Sequence, residues 1–337
     1  MTDRSADRSA DCSDPSRRTV LKAGAASAAL MGLSRRALAA DDKIVIGFWP
    51  IASGLPLYAG LERGFFKEAG LNVEGAKFAS AQQVAEAMIA GRVHGSANGT
   101  ASAALALAEI TSPNLFKIIC SNPSNRTLIL DEFVVPKDSA VKSIAELAGK
   151  KVASGPGIQN VTLAKIILEK NGIPNPQVIE LPIGQHVPAL AAGQIDAAYT
   201  LEPTGTAGRL KGLTRVLEPG VISKYVLGDH DAPWFGGSAS VSTAFLKDKP
   251  ELAKRYVAAY AKAVDWVRKN PVEARKHMDG FTAIEEALAK EVPLAGFTLY
   301  NEFKPSDIEH FQKFFDVFTE RKIFAKRLDV KSLIYAG

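Results

Sequence analysis

Apolar positions recur along this chain in two alternating textures. Short, nearly continuous runs read as strands: Lys43-Ile44-Val45-Ile46-Gly47-Phe48, Val93-His94-Gly95-Ser96-Ala97, Lys151-Val152-Ala153, Val178-Ile179-Glu180 and Ile195-Asp196-Ala197-Ala198-Tyr199. Between them the spacing turns helical: from Ser53, which is placed to cap, through Leu61; from Gln82 to Ala90; from an opening at Asn98-Gly99-Thr100 to Ala108; and from Val161 to Lys170. Strand and helix in alternation predict an α/β fold with largely parallel sheets. The C-terminal part is helical throughout, over Lys249–Asn270, Pro271–Met278, Ile284–Glu291 and Ser306–Glu320. Ser306-Asp307-Ile308-Glu309 resembles a capping box, and Phe311, Phe314, Phe315 and Phe318 recur on one helical face as core.

The pattern repeats internally. Ala90-Gly91-Arg92-Val93-His94-Gly95 is echoed by Ala192-Gly193-Gln194-Ile195-Asp196-Ala197. In each a helix ends at Gly, a strand follows, and a turn opens the next helix, which predicts two similar α/β lobes.

Residues 16–40 do not fit this alternation. Ser16-Arg17-Arg18-Thr19-Val20-Leu21-Lys22 precedes an Ala-rich apolar run, and Ala37-Leu38-Ala39 offers small residues for cleavage. This is the arrangement of a twin-arginine export signal, so residues 1–40 are expected to be an address and the mature protein to work in the periplasm. The apolar run is interrupted by Arg35-Arg36 and falls short of the roughly 20 residues a membrane span needs.

Removing the leader changes the electrostatic picture. The whole chain carries a net charge of +5; without residues 1–40 it retains 34 Lys/Arg and 32 Asp/Glu, a net charge of +2. No basic run remains to suggest nucleic acid. Cys120 alone survives, inside the apolar run Phe116–Cys120, and reads as a buried structural thiol.

Catalytic signatures are missing from the sequence: no H-E-x-x-H, G-x-S-x-G, phosphate-binding P-loop or C-x-x-C. Gly228-Asp229-His230-Asp231 reads as an exposed loop rather than a metal site, and no cofactor or metal is expected. The chemistry on offer is that of helix N-termini behind small polar turns, at Ser53-Gly54, Asn98-Gly99-Thr100 and Gly157-Ile158-Gln159-Asn160. Unpaired N–H groups there suit an anionic or acceptor group, and in α/β sheets such turns gather at the carboxyl ends of strands.

Three further stretches carry a family resemblance. They are Pro56-Leu57-Tyr58-Ala59 with Gly64-Phe65-Phe66-Lys67-Glu68-Ala69-Gly70-Leu71; Lys137-Asp138-Ser139 with Ile144-Ala145-Glu146-Leu147-Ala148-Gly149-Lys150-Lys151-Val152-Ala153; and Phe245-Leu246-Lys247-Asp248-Lys249-Pro250-Glu251. In order and spacing they resemble the solute-binding components of ABC importers, in the group that binds aliphatic sulfonates, taurine, nitrate and thiamine-pyrimidine precursors. The resemblance implies a type II periplasmic-binding-protein-like fold of two lobes, two crossovers and extra C-terminal helices. By analogy the crossovers fall near Ser124–Phe133 and Ala232–Ser240, with residues 41–128 and 236–337 in the first lobe and 129–235 in the second. It also implies a monomer that closes on a small molecule and docks on a membrane permease, without enzymatic activity. The expected ligand-binding set is Trp49, Ser53, Gly54, Asn98, Gly99, Thr100, Gly157, Ile158, Gln159, Asn160, Glu202 and Trp234, with Trp234 and Phe235 placed either in the cleft or in the hinge. The alternatives are a pyrimidine-synthesising enzyme on the same fold and a ligand-sensing subunit of a signalling system.

The chain departs from the sulfonate pattern at three places: Trp49-Pro50-Ile51 stands where Gln is usual, Gly157-Ile158 where Gly-Ser is usual, and His94 where Asp is usual. An aromatic or partly apolar ligand fits these departures better than sulfonate or nitrate.

Overall fold

The computed structural model describes residues 43–99 and 103–337; the expected leader and Thr100 lie outside them. The chain opens a first sheet with β1 (Lys43–Phe48), β2 (Asn72–Lys77), β3 (Gly95–Ser96) and β4 (Phe116–Ser124). It then builds a second from β5 (Asp131–Pro136), β6 (Val152–Ser154), β7 (Val178–Glu180), β8 (Ala197–Leu201) and β9 (Thr214–Pro219). Finally it returns to the first with β10 (Trp234–Ser242) and β11 (Thr298–Leu299). The strand orders are β11-β4-β10-β3-β1-β2 and β7-β6-β8-β5-β9. The fold is therefore two-lobed α/β.

The sheets are mixed rather than largely parallel. β1–β3, β6–β7 and β6–β8 are parallel, but β5 opposes β8 and β9, and β10 opposes β3 and β4. The reason lies in the two passages between sheets. β5 and β10 each enter a sheet at the edge where the parallel strands end, and so run back against them.

The second passage also lies earlier than the analogy placed it. Trp234 already pairs with Ser124, and β10 follows β4 down to Ser242 opposite Phe116. Trp234 and Phe235 thus open a buried strand of the first sheet, which runs against β4 along its length and meets β3 only at Ser240 and Val241.

The helices that matter to the site are α1 (Leu55–Glu62), α2 (Ala81–Ile89), α3 (Ala103–Thr111), α4 (Ile158–Lys170), α5 (His186–Ala191), α6 (Thr204–Leu210), α7 (Pro250–Lys269) and α8 (Pro305–Glu320). Several boundaries shift from the sequence expectation. α1 follows a 3-10 turn at Ala52–Gly54, and Ser53 makes no capping bond. The box of α8 is anchored on Lys304, whose N–H donates to Asp307 Oδ2 at 3.0 Å, because Pro305 takes the first helical position. The helix expected over 284–291 contracts to Glu286–Ala289.

The internal echo is structural. Gly91 and Gly193 both take φ 67° and close their helices. Arg92 N donates to Ala87 O at 2.8 Å, and Gln194 N donates to Ala189 O at 2.9 Å, the same six-residue closure in each lobe. The next contact repeats too. Val45 N donates to His94 Nδ1 at 3.0 Å, and Lys151 N donates to Asp196 Oδ2 at 2.7 Å. His94 therefore performs in the first lobe the strand-edge role of Asp196 in the second, at the start of β1. Burial, then the charge of Lys249, lowers its pKa and keeps that nitrogen free to accept.

α8 covers the region where the sheets meet. Phe311, Phe314, Phe315 and Phe318 are fully buried, Phe314 against Trp234 at 5.5 Å and Phe311 stacked on Phe235 at 5.4 Å between ring centroids. Each such ring contributes roughly 1.5–3 kcal/mol through burial. Cys120 is a buried free thiol whose pKa burial pushes up to about 12. Among the described residues no helix is long and apolar enough to cross a membrane.

Candidate functional site

The carboxyl ends of β1 and β3 face those of β6 and β8 across a seam between the lobes. On the first-lobe side the seam is fixed by Asn98. Its Nδ2 donates to Trp49 O at 2.8 Å, its Oδ1 accepts from Trp49 N at 3.1 Å, and its carbonyl accepts from Trp49 Nε1 at 3.2 Å. Tyr58 OH lies within hydrogen-bond reach of Trp49 O and Ile51 O, at 3.2 and 3.1 Å. Gly54 is required beside it, since a Cβ there would stand 2.3 Å from the Tyr58 oxygen. Gly99 N donates to Ser96 Oγ at 2.9 Å. Ser53 Oγ, by contrast, is buried and has no hydrogen-bond partner. It lies 3.5 Å from the space a Cβ on Gly237 would fill.

On the second-lobe side, Gly157 takes φ 103° and starts α4. Its N–H donates to Glu180 Oε2 at 3.0 Å, and the N–H of Ile158 is directed at Gln82 Oε1 of the first lobe at 3.4 Å. Gln159 reaches across twice: its Oε1 accepts from Ala103 N at 3.1 Å, and its Nε2 donates to Gly236 O at 3.4 Å. Asn160 Nδ2 donates to Pro156 O at 3.2 Å. Ala52 N donates to Glu202 O at 2.8 Å, and Lys211 meets Glu285 at 3.2 Å. The lobes are thus closed on one another. The gap left between Gln82 and Gly157–Asn160 is about 10 Å³, roughly room for one water. A larger hollow of about 300 Å³ lies at the opposite edge of the second sheet, at the start of β6 between Lys150 and Pro174. It is remote from the strand ends and from every group described above.

Three acids stand at the edge of the second sheet that faces the seam: Asp131 and Glu132, which open β5, and Glu202, which follows β8. All are at most 2% exposed. Asp131 Oδ1 accepts from Trp234 Nε1 at 2.8 Å and its Oδ2 from Ile222 N at 2.9 Å. Burial pushes its pKa up to about 6 despite those donors. Glu202 caps α6 by accepting from Thr206 N at 3.1 Å and Thr206 Oγ1 at 2.9 Å. Glu132 Oε1 has no partner and fills the space at Gly205, where a Cβ would lie 1.3 Å away. Burial, then the neighbouring Glu202 and Asp131 charges, raises Glu132 well above the usual carboxylate range, and burial raises Glu202.

The structure therefore brings Trp49, Ser53, Gly54, Asn98, Gly99, Gly157, Ile158, Gln159, Asn160 and the backbone of Glu202 to one seam. Trp234 stands where the two sheets meet, its Nε1 on Asp131 and its ring against Phe314 and over Gly236, whose carbonyl accepts from Gln159. Gln82, Tyr58, Asp131 and Glu132 were not anticipated. Two acids leading the apolar run Phe133-Val134-Val135 were the signal for the last two. No group of His, Cys, Asp and Glu able to hold a metal occurs among the described residues. His186 is buried between Thr200 Oγ1 and Leu181 O, and burial lowers its pKa to about 4.

Known proteins resemble this arrangement. The alkanesulfonate-binding protein of Xanthomonas axonopodis pv. citri, bound to MOPS, superposes with a TM-score of 0.69 at 19% identity, over 87% of this chain and 98% of that one. The periplasmic aliphatic sulphonate binding protein of Escherichia coli gives 0.65 at 17% identity, over 88% and 92%. The periplasmic nitrate-binding protein of Synechocystis PCC 6803 gives 0.58 at 16% identity, over 73% and 68%. At these identities the likeness is one of fold. No curated protein sequence matches the chain. The profile of the NMT1/THI5-like family matches residues 52–274, from the turn before α1 to the short helix Pro271–Ala274 after α7, and the chain belongs to that family.

Proposed function

We propose that this protein is an extracytoplasmic solute-binding protein, which captures a small organic molecule by closing its lobes and delivers it to an ABC-type permease. The observation that carries the reading is the seam itself. Side-chain amides of Gln82 and Gln159 and the backbone of Ala52 and Glu202 bridge the lobes across the strand ends, where α/β proteins take ligands. The names of the structural neighbours, which bind alkanesulfonates and nitrate, support the same class of activity. The twin-arginine pattern of Ser16–Lys22, read as an export signal, supports a periplasmic site of action.

In this reading Ser53 Oγ, aligned with the start of α1, binds an acceptor atom of the solute. Trp49, held rigid by Asn98, supplies an apolar face, and Gly157, Ile158, Gln159 and Asn160 complete the wall as the lobes close. The groups that bridge the lobes at the strand ends are side-chain and backbone amides, which suit the holding of a solute. Binding is therefore proposed rather than turnover.

A thermal-shift panel of sulfonates, nitrate, pyrimidines and aromatic carboxylates tests this on protein freed of ligand by denaturation and refolding. A solute at 100 times its Kd adds about 2.7 kcal/mol to the native state and raises the midpoint. Gln159→Ala should weaken that response. Failure of every compound to shift the midpoint, or conversion of one into a released product, overturns the proposal.

A further inference from the structure

The lobes exchange glutamines. α2 closes its own N-terminus, since Gln83 N donates to Ser80 Oγ at 3.2 Å and Ala79 N donates to Gln83 Oε1 at 3.0 Å. Gln82, between these residues, is left to reach across the seam. Its Nε2 donates to Glu86 Oε1 at 3.1 Å, one turn further along α2, and that bond leaves Oε1 facing Ile158 N of α4 at 3.4 Å. α4 has no side-chain cap of its own, because its N-cap is Gly157. Its first N–H groups are met instead by Glu180 from the same lobe and by Gln82 from the other.

Gln159, in the first turn of α4, returns the contact. Its Oε1 accepts from Ala103 N of α3 at 3.1 Å, and its Nε2 donates to Gly236 O of β10 at 3.4 Å. Gly157 is fitted to the exchange: its φ of 103° favours glycine, and a Cβ there would stand 3.1 Å from Gln82 Oε1 and 3.2 Å from Gln82 Cβ. Each cross-lobe bond forms only with the lobes together, so each stabilises the closed arrangement over the open one. The Lys211–Glu285 pair also joins the lobes, but both side chains are exposed and such a pair adds little.

We infer that Gln82 and Gln159 form a reciprocal clasp, by which the chain itself favours closure and the solute adds to a closure already built in. The inference rests on the solute-binding reading above and assigns the two glutamines as positioning residues of its hinge motion. Amides carry no charge, so the clasp holds at high salt as well as low.

Distances between spin labels on refolded, ligand-free protein test it. The labels go on Lys77→Cys, at the end of β2 in the first lobe, and Gln185→Cys, after β7 in the second, both exposed positions, in a Cys12→Ser background. One short distance should dominate, and it should persist in about 1 M salt, where the Lys211–Glu285 pair is screened. Gln82→Met and Gln159→Met keep the bulk of the side chain and remove the amide. Together they should lower the ratio of closed to open molecules roughly tenfold or more, read as a second, longer distance. Each alone should do so in part, and the single variants carry the test should the double variant fail to fold. An unchanged distribution in the variants overturns the clasp, as does a wild-type protein that is mainly open or that salt alone opens. Each of those results leaves the solute-binding reading to stand or fall on the thermal-shift panel.

Discussion

Trp234→Phe isolates one hydrogen bond across the hinge. The indole N–H of Trp234, on β10 of the first sheet, donates at 2.8 Å to Asp131 Oδ1, on β5 of the second. Asp131 is fully buried, and its carboxyl titrates at about 6. Above that pH the indole meets an anion, and such a bond contributes about 1.5–3 kcal/mol; at pH 5 it meets a neutral acid and contributes about 0.5–1.5 kcal/mol. Phe retains the contact with Phe314 but leaves part of the indole volume empty, a pH-independent loss of about 1–2 kcal/mol. The penalty should therefore grow by about 1 kcal/mol between pH 5 and pH 8. The sign follows from linkage. Without the donor the Asp131 anion is less stabilised, its pKa rises further, and the variant loses stability more steeply as pH rises. Urea midpoints at the two pH values, with unchanged slope, measure this. An equal penalty at both, or a larger one at pH 5, refutes the reasoning.

Other consequences follow from the same acids and their neighbours. Asp131 binds its proton more tightly folded than unfolded, so its contribution is complete below its unfolded value of 3.8 and is lost as pH rises through about 6. That group alone accounts for about 3 kcal/mol. Glu132 and Glu202 extend the loss to higher pH, and Glu132→Gln should flatten the upper part of the stability profile; a profile that rises from pH 5 to 8 contradicts this. Gly205→Ala places a methyl 1.3 Å from the Glu132 oxygen, so it should cost roughly 1–3 kcal/mol. A second change, Glu132→Ala, should recover much of that cost, and additive penalties in the double variant would speak against the contact. Cys120, in a Cys12→Ser background, should react with a maleimide only as fast as the protein opens. Labelling at the rate of the denatured chain would show that the thiol is not buried.

Local patterns were legible in the sequence where local physics sets them. The Ala-Gly helix ends at 90–91 and 192–193 announced two equivalent lobes, because only a residue tolerant of positive φ closes a helix that way. The aromatic face of α8 was equally plain, since its spacing admits one buried side. What failed depended on partners far along the chain. Ser53 looks like a cap, but the 3-10 turn at Ala52–Gly54 carries it past that position and leaves its hydroxyl in the seam. Asn98 looks like a ligand donor, yet three bonds to Trp49 use its side chain and carbonyl to hold the platform. His94 looked like a change of specificity and is a strand-edge acceptor matching Asp196. Trp234 stands where the two sheets meet because Asp131, more than a hundred residues earlier, accepts its N–H. Mixed sheet polarity was hidden for the same reason, since nothing local tells β5 and β10 that they enter from the other lobe.

The central claim is that the two lobes open at the seam to admit a solute and close over it. Native mass spectrometry of the protein, purified from its host at low temperature without dialysis, tests it most directly. The account predicts a discrete mass above that of the polypeptide, lost on denaturation, absent after refolding, and restored by the released small molecule. A polypeptide-only mass under every gentle condition, with no extract fraction able to shift it, would contradict the account.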